Sequence, residues 1–161
     1  MYSGKIDKTW NDEDYINLSW YTNEDHEERF NATVNTETYN VGVAICNENL
    51  PQVFYDLLDN FNIKKPVVAV NKLSPGKILP YHKDKFVAYK KRNNVSDEEQ
   101  IVRYIVFLHD SKAGHQLWIE DNICVGPVGS FFGWDKDTIH MAANLGWEDR
   151  YILQITGVKD G

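Results

Sequence analysis

The chain is expected to be mostly β, a sandwich or jelly roll with a flanking helix packed on one outer face. Its second half reads as short β-branched and aromatic runs punctuated by Gly, Asp and Asn. Its best helical segment lies before that series rather than within it, which favours segregated layers over alternating βα units. Its 161 residues, 42% hydrophobic and 25% charged, suit one domain with one core.

Residues 1–36 are polar, with Trp10, Tyr15, Trp20, Tyr21 and Phe30 spaced among charges, and read as short strands or loops wrapping a core. Residues 39–46 (YNVGVAIC) read as a strand. Residues 50–61 read as a helix: Pro51 suits a first helical position, and Val53, Leu57, Leu58 and Phe61 recur at helical spacing. Residues 66–73 form a β-branched run, Ser74-Pro75-Gly76 a turn, and residues 77–82 a short strand. Residues 86–100 are a charged, Asn-rich connection with the length of a lid over a site. Residues 101–108 (IVRYIVFL) are a strong strand, and 116–119, 123–125, 130–134, 138–143 and 150–156 are further short ones. Neither a repeat nor a Pro/Gly linker divides residues 1–161, so a single domain is expected.

The formal charge of −7 disfavours generic nucleic-acid binding. The local basic cluster Lys83, Lys85, Lys90, Lys91 and Arg92 reads as a solvated loop. Cys46 and Cys124 stand outside CxxC or zinc-ligand spacing and suit small buried hydrophobes in a reducing, cytoplasmic setting. The first residues lack the apolar core of a secretory signal, and no apolar run approaches a membrane span. The Asn-x-Ser/Thr triplets at Asn17, Asn31 and Asn94 therefore carry no glycosylation meaning.

The chemistry concentrates in Pro80-Tyr81-His82-Lys83-Asp84. In a strand, residues two apart share a face, so His82 and Asp84 project together. An imidazole beside a carboxylate makes two of the three ligands of a facial triad for non-haem Fe(II). Alone the motif is weak, and His26-Glu27-Glu28 is a rival, although it lies in a charged segment without strand character. A third ligand has to come from far along the chain, from His109, His115 or His140. A co-substrate with a distal carboxylate would also need a cation, best an arginine fork. Ten residues after His109 and His115 stand Ile119 and Val125; ten after His140 stands Arg150, opening RYILQIT.

His-x-Asp, a distant His and an Arg about ten residues later resemble the 2-oxoglutarate/Fe(II) oxygenase superfamily. LSPGKILPYHKD is similar to the Gly-containing turn that leads into the His-x-Asp of prolyl and aspartyl hydroxylases. VGSFFGWDKDTIHMAANLG resembles the segment before the distal ligand, and RYIVFLHD the central strand of the fold. The overall look is similar to small stand-alone members, some carried by bacteriophages of photosynthetic bacteria. The resemblance covers roughly residues 66–157 and implies a double-stranded β-helix (jelly roll, cupin-like) there, with residues 1–65 as flanking strands and helix.

The resemblance implies that His82, Asp84 and His140 hold Fe(II), and that 2-oxoglutarate and O₂ fill its open positions. Succinate and CO₂ would leave as a peptide or small-molecule substrate is hydroxylated. Arg150 would anchor the distal carboxylate of 2-oxoglutarate. Arg103 is a second candidate, a charge inside a β-branched strand that would otherwise need an ion-pair partner. Tyr104 could serve instead, because only one of two strand neighbours faces inward, and Asn71 could reach the pocket from the first core strand. Asp137 and Asp135 are candidates to orient His140, or else exposed turn residues. His109 and His115 read as structural or solvent-facing, and Trp118, Trp134 and Tyr81 as substrate-mouth or plain core or rim aromatics. The competing readings are a cupin-type metal enzyme that does not use 2-oxoglutarate, in which Arg150 has no task, and a jelly-roll binding module without metal.

Overall fold

The computed structural model describes residues 1–22 and 38–161. Phe30, the Asn31 triplet and the rival His26-Glu27-Glu28 lie outside the described residues. In chain order the elements are β1 (Tyr2–Lys5), a one-turn helix α1 (Glu13–Ile16), β2 (Tyr21–Thr22), β3 (Ala44–Cys46), α2 (Gln52–Asp56) continued by a 3-10 turn (Leu57–Asn60), β4 (Ile63–Leu73) and β5 (Ile78–His82). There follow α3 (Val87–Asn93), β6 (Ile101–Phe107), β7 (His115–Ile119), β8 (Asn122–Ile123), β9 (Ser130–Asp135), β10 (His140–Asn144) and β11 (Arg150–Lys159).

The strands form two sheets with antiparallel pairing, a major one ordered β1-β9-β6-β11-β4-β3-β2 and a minor one ordered β5-β10-β7-β8. The central strands β6 and β11 are apolar on both faces, because the major sheet is covered on both. Val106, Leu108, Leu153 and Ile155 point outward into a cluster with Trp10, Tyr15, Phe54 and Leu57, so the N-terminal segment and α2 form the outer layer. Ile105, Phe107 and Ile152 point the other way, toward Leu117 and Ile119 of the minor sheet. Fully burying each such side chain contributes about 1.5–3 kcal/mol. The space between the sheets is therefore core at one end and, as shown below, cavity at the other. Among the described residues no helix is long and apolar enough to cross a membrane.

Several elements differ from expectation. The strand expected over 39–46 is regular only from Ala44, with an isolated bridge from Val41 to Ile78 before it. The helix expected over 50–61 tightens to a 3-10 turn after Asp56, and Pro51 caps it rather than opening it. The connection expected over 86–100 contains α3, which starts after Phe86 (φ 54°) and ends at Asn94 (φ 49°), both left-handed. Asn tolerates that conformation locally; Phe does not, and it is held there by packing. Phe86, Tyr89 and Val95 are buried against Ile101 and Val158. The strand expected from 138 begins at His140, because Asp137 (φ 75°) makes a turn. Both cysteines are buried and unpaired.

Candidate metal centre

The minor sheet places the candidate ligands. His82 closes β5 and His140 opens β10; the two strands are antiparallel and these residues are direct partners. Their rings lie 4.3 Å apart. Asp84 follows just past the end of β5 and turns back under them: its Oδ1 is 3.5 Å from His82 Nε2 and its Oδ2 is 3.4 Å from His140 Nε2. One ligand atom from each residue lies within 4.8 Å of the others. Each Nδ1 faces a backbone carbonyl, Pro80 O at 2.7 Å for His82 and Thr138 O at 3.0 Å for His140. A carbonyl only accepts, so each Nδ1 carries the proton and each Nε2 lone pair is turned to the common point, as a metal-ligating imidazole requires.

The protonation states fit. Burial pushes the Asp84 carboxyl up, but the Arg103 guanidinium beside it is the largest influence that holds it well below the usual carboxylate range. Arg103 Nη1 stands 2.8 Å from Asp84 Oδ2, an ion pair by distance although not aligned as a hydrogen bond. Burial lowers His140 to about 4. Two imidazoles and one carboxylate form a donor set that suits a divalent transition metal.

A cavity of about 330 Å³ opens between the sheets beside this cluster. Val43, Ile45, Leu79 and Ala142 form apolar wall, and Arg103, Asn71, Gln154 and Arg150 bring polarity. Arg150 is buried at the start of β11, with its Cζ 5.5 Å from the Phe107 ring centre. Its Nη2 has no hydrogen-bond partner, and no carboxylate among the described residues pairs with it. Burial pulls it down to about 10, yet it stays charged near neutrality. A buried cation without a counter-ion is costly, and an anion in the cavity would offset that cost. Asn71 is buried and donates from Nδ2 to Gln154 Oε1 at 3.3 Å, while its Oδ1 lacks a partner.

Other candidates fall elsewhere. Tyr104 does not enter the cavity: its ring packs outward on Phe61 at 4.6 Å and on Phe131 at 5.9 Å, the opposite face of β6 from Arg103. Asp135 does not orient His140; it accepts from the Tyr2 hydroxyl at 2.8 Å and pairs with Lys159 at 2.6 Å. Asp137 is an exposed turn residue. Tyr81 is exposed on the far side of the minor sheet, and Trp118 shares that side by alternation, donating to Gln116 Oε1 at 3.2 Å. Trp134 does reach the site, its ring centre 4.3 Å from that of His140. His109 and His115 are structural: they bond within their own loop to Asp110 O and Lys112 N–H and tie it to Tyr151 N–H and Glu148 O. Sequence reasoning missed Gln154 and the Pro80 and Thr138 carbonyls; backbone carbonyls leave no mark on a sequence.

No protein-family model matches the chain, and no curated protein sequence matches it. Solved structures do. A prolyl-4-hydroxylase from Pseudomonas putida superposes with TM-score 0.52 at 14% identity, over 92% of this chain and 97% of that one. A cupin protein from Bacteroides fragilis gives TM-score 0.43 at 18% identity, over 65% and 75%. A conserved protein with a double-stranded β-helix domain from Klebsiella pneumoniae gives 0.41 at 13%, over 62% and 67%. At these identities the likeness concerns the fold alone. With the two facing antiparallel sheets described above, the chain is a double-stranded β-helix protein of cupin-like fold, with a His-Asp-His cluster that can hold a metal ion.

Proposed function

We propose that the protein is an Fe(II)- and 2-oxoglutarate-dependent oxygenase that hydroxylates a peptidyl residue (Pro or Asp/Asn) or a small molecule, releasing succinate and CO₂. One observation carries the reading: the His82, Asp84 and His140 donors share a single cavity with a buried arginine that has no anionic partner among the described residues. The metal cluster alone suits many cupin-like proteins; the guanidinium adds the demand for a carboxylate.

Bound between these donors, Fe(II) together with O₂ and 2-oxoglutarate supplies the oxidative chemistry. The chain's own residues do the rest. His82 and His140 keep Nε2 oriented because Nδ1 is anchored on carbonyl oxygens. Asp84 stays ionised beside Arg103. Arg150 receives the distal carboxylate of 2-oxoglutarate through its planar fork. The apolar wall of Val43, Ile45 and Leu79 excludes water from the space where substrate approaches. A fold shared with a prolyl-4-hydroxylase is compatible with a peptidyl substrate and does not select it. The net charge of −7 disfavours nucleic-acid partners, and two unpaired buried thiols suit the cytoplasm.

Anaerobic addition of 2-oxoglutarate to the Fe(II) protein tests the reading. A new charge-transfer absorption, followed by succinate release on admitting O₂, is expected. A metal spectrum that 2-oxoglutarate leaves unchanged would return the protein to the cupin-like metal-binding class.

A further inference from the structure

Three contacts of Arg103, each of a different kind, bear on the site. Its Nη1 lies 2.8 Å from Asp84 Oδ2, its Nε donates to Thr156 Oγ1 at 3.1 Å, and its Cζ sits 4.7 Å from the centre of the Phe86 ring. Thr156 is buried in β11 and pairs in register with Arg103, so this end of the arginine is fixed to the major sheet. Phe86 is the residue from which α3 springs, and Ala88 in the first turn of α3 lines the cavity. The arginine thus ties the rigid sheet to a candidate metal ligand on one side and to the covering segment on the other.

The need for such a tie follows from the chain path. β5 ends at His82, so Asp84 lies beyond the last ladder hydrogen bonds and its carboxylate is not oriented by the sheet. A carboxylate can present either oxygen, or both, to a cation; holding Oδ2 on a guanidinium leaves Oδ1 to bind through one atom. The backbones of Arg103 and Arg150 stand well apart although both side chains line the cavity: Arg103 pairs with Thr156, six positions along β11 from Arg150, roughly 20 Å of extended strand.

We propose that Arg103 is a positioning residue for the metal carboxylate Asp84, and that through Phe86 it couples the seating of α3 to occupancy of the metal site. The inference rests on the metal reading above and goes beyond it: α3 and the metal ligands order as one unit.

Mn(II) titration followed by electron paramagnetic resonance, with hydrogen–deuterium exchange of residues 86–95 with and without Mn(II), tests it. In Arg103→Leu, Mn(II) affinity should fall about 10- to 100-fold, the usual range for losing a partner that orients a ligand. Arg103→Lys keeps the charge but not the fork that spans Asp84 and Thr156, and should remain at least roughly fivefold weak. Mn(II) should slow exchange in α3 of the wild type and not in Arg103→Leu. Phe86→Leu, which stays apolar but loses the flat ring, should bind Mn(II) within about threefold of wild type while losing that slowing. Unchanged or tighter Mn(II) binding by Arg103→Leu overturns the positioning role. Slowing of α3 that persists in Arg103→Leu or Phe86→Leu overturns the coupling. Loss of 2-oxoglutarate affinity in Arg103→Leu without loss of Mn(II) affinity would assign the arginine to the co-substrate and overturn the proposal. A wild type that binds no Mn(II) removes the metal reading itself, and this inference with it.

Discussion

His82 and His140 face each other across the β5–β10 ladder as direct register partners, each with its Nδ1 on the carbonyl of the residue two positions earlier. The pair is therefore set by strand register, and a substitution at either position removes a donor without disturbing the ladder. His82→Ala and His140→Ala are each expected to reduce substrate-independent succinate release to the rate seen without protein. Equal release from wild type and variant would remove both residues from the metal site.

Tyr104 and Arg103 are adjacent, and the structure puts them on opposite faces of β6. Tyr104→Phe removes a hydroxyl from the outer layer, away from the cavity. Succinate release and the 2-oxoglutarate requirement should stay within about twofold of wild type, and stability within about 0.5 kcal/mol. A sharply raised 2-oxoglutarate requirement would mean that the tyrosine, not the arginine, faces inward.

That choice shows where the sequence stops informing. Alternation says that only one of Arg103 and Tyr104 points into the cavity, but the phase of a strand is read from a polar face, and β6 has none: Val106 packs on the outer layer and Ile105 between the sheets. His82 is legible as the end of a strand and Arg150 by its offset of ten residues from His140, but the strand alternation expected to bring Asp84 beside His82 does not apply: β5 ends at His82 and Asp84 reaches the cluster from beyond the strand. α3 is not legible. Its apolar anchors Phe86, Tyr89 and Val95 are scattered among lysines and asparagines, and its helical form follows from burial on Ile101 and Val158 rather than from local propensity. The N-terminal wrapping segment was readable as such, yet nothing in its composition says that β1 pairs with β9.

His109 and His115 offer a pH signature of the metal-free fold. Burial lowers both below the ordinary 6.5, opposed by the carbonyls of Asp110 and Glu148 and aided by the nearby Lys112 and Arg150 charges and, for His109, by His115; the carboxylate of Glu148 works the other way on His115. Each uses both ring nitrogens as a neutral tautomer: His109 donates to Asp110 O at 2.7 Å and accepts from Tyr151 N–H at 2.9 Å, and His115 donates to Glu148 O at 2.9 Å. The unfolded chain takes up these protons first as pH falls. Their stabilising contribution is thus complete above about 6.5 and is lost as pH drops from there toward the lowered folded values, at up to about 1.4 kcal/mol per pH unit for each group. Urea midpoints of the chelator-treated protein should fall between pH 7.5 and pH 5, less steeply in His109→Gln. Identical slopes in the two proteins would show that His109 titrates normally in the fold.

Arg150 lies at the start of β11, two strand positions below Ile152 and opposite Leu73, buried and without a carboxylate among the described residues. An anion arriving there gains a charge-assisted, two-pronged partner and relieves the arginine of its isolation at the same time. Breaking such a buried pair from one side costs about 2–5 kcal/mol. Arg150→Ala should therefore raise the 2-oxoglutarate requirement at least roughly thirtyfold, the equivalent of about 2 kcal/mol, while Mn(II) affinity stays within about threefold. Arg150→Lys, which keeps the charge as a point but loses the fork, should fall between the two. Because removing an uncompensated buried charge also relieves the apo protein, Arg150→Leu should leave thermal stability unchanged or raise it. A strongly destabilised Arg150→Leu would mean that the guanidinium already has a structural counter-ion, and a 2-oxoglutarate requirement equal to wild type in Arg150→Ala would mean that the dicarboxylate binds elsewhere.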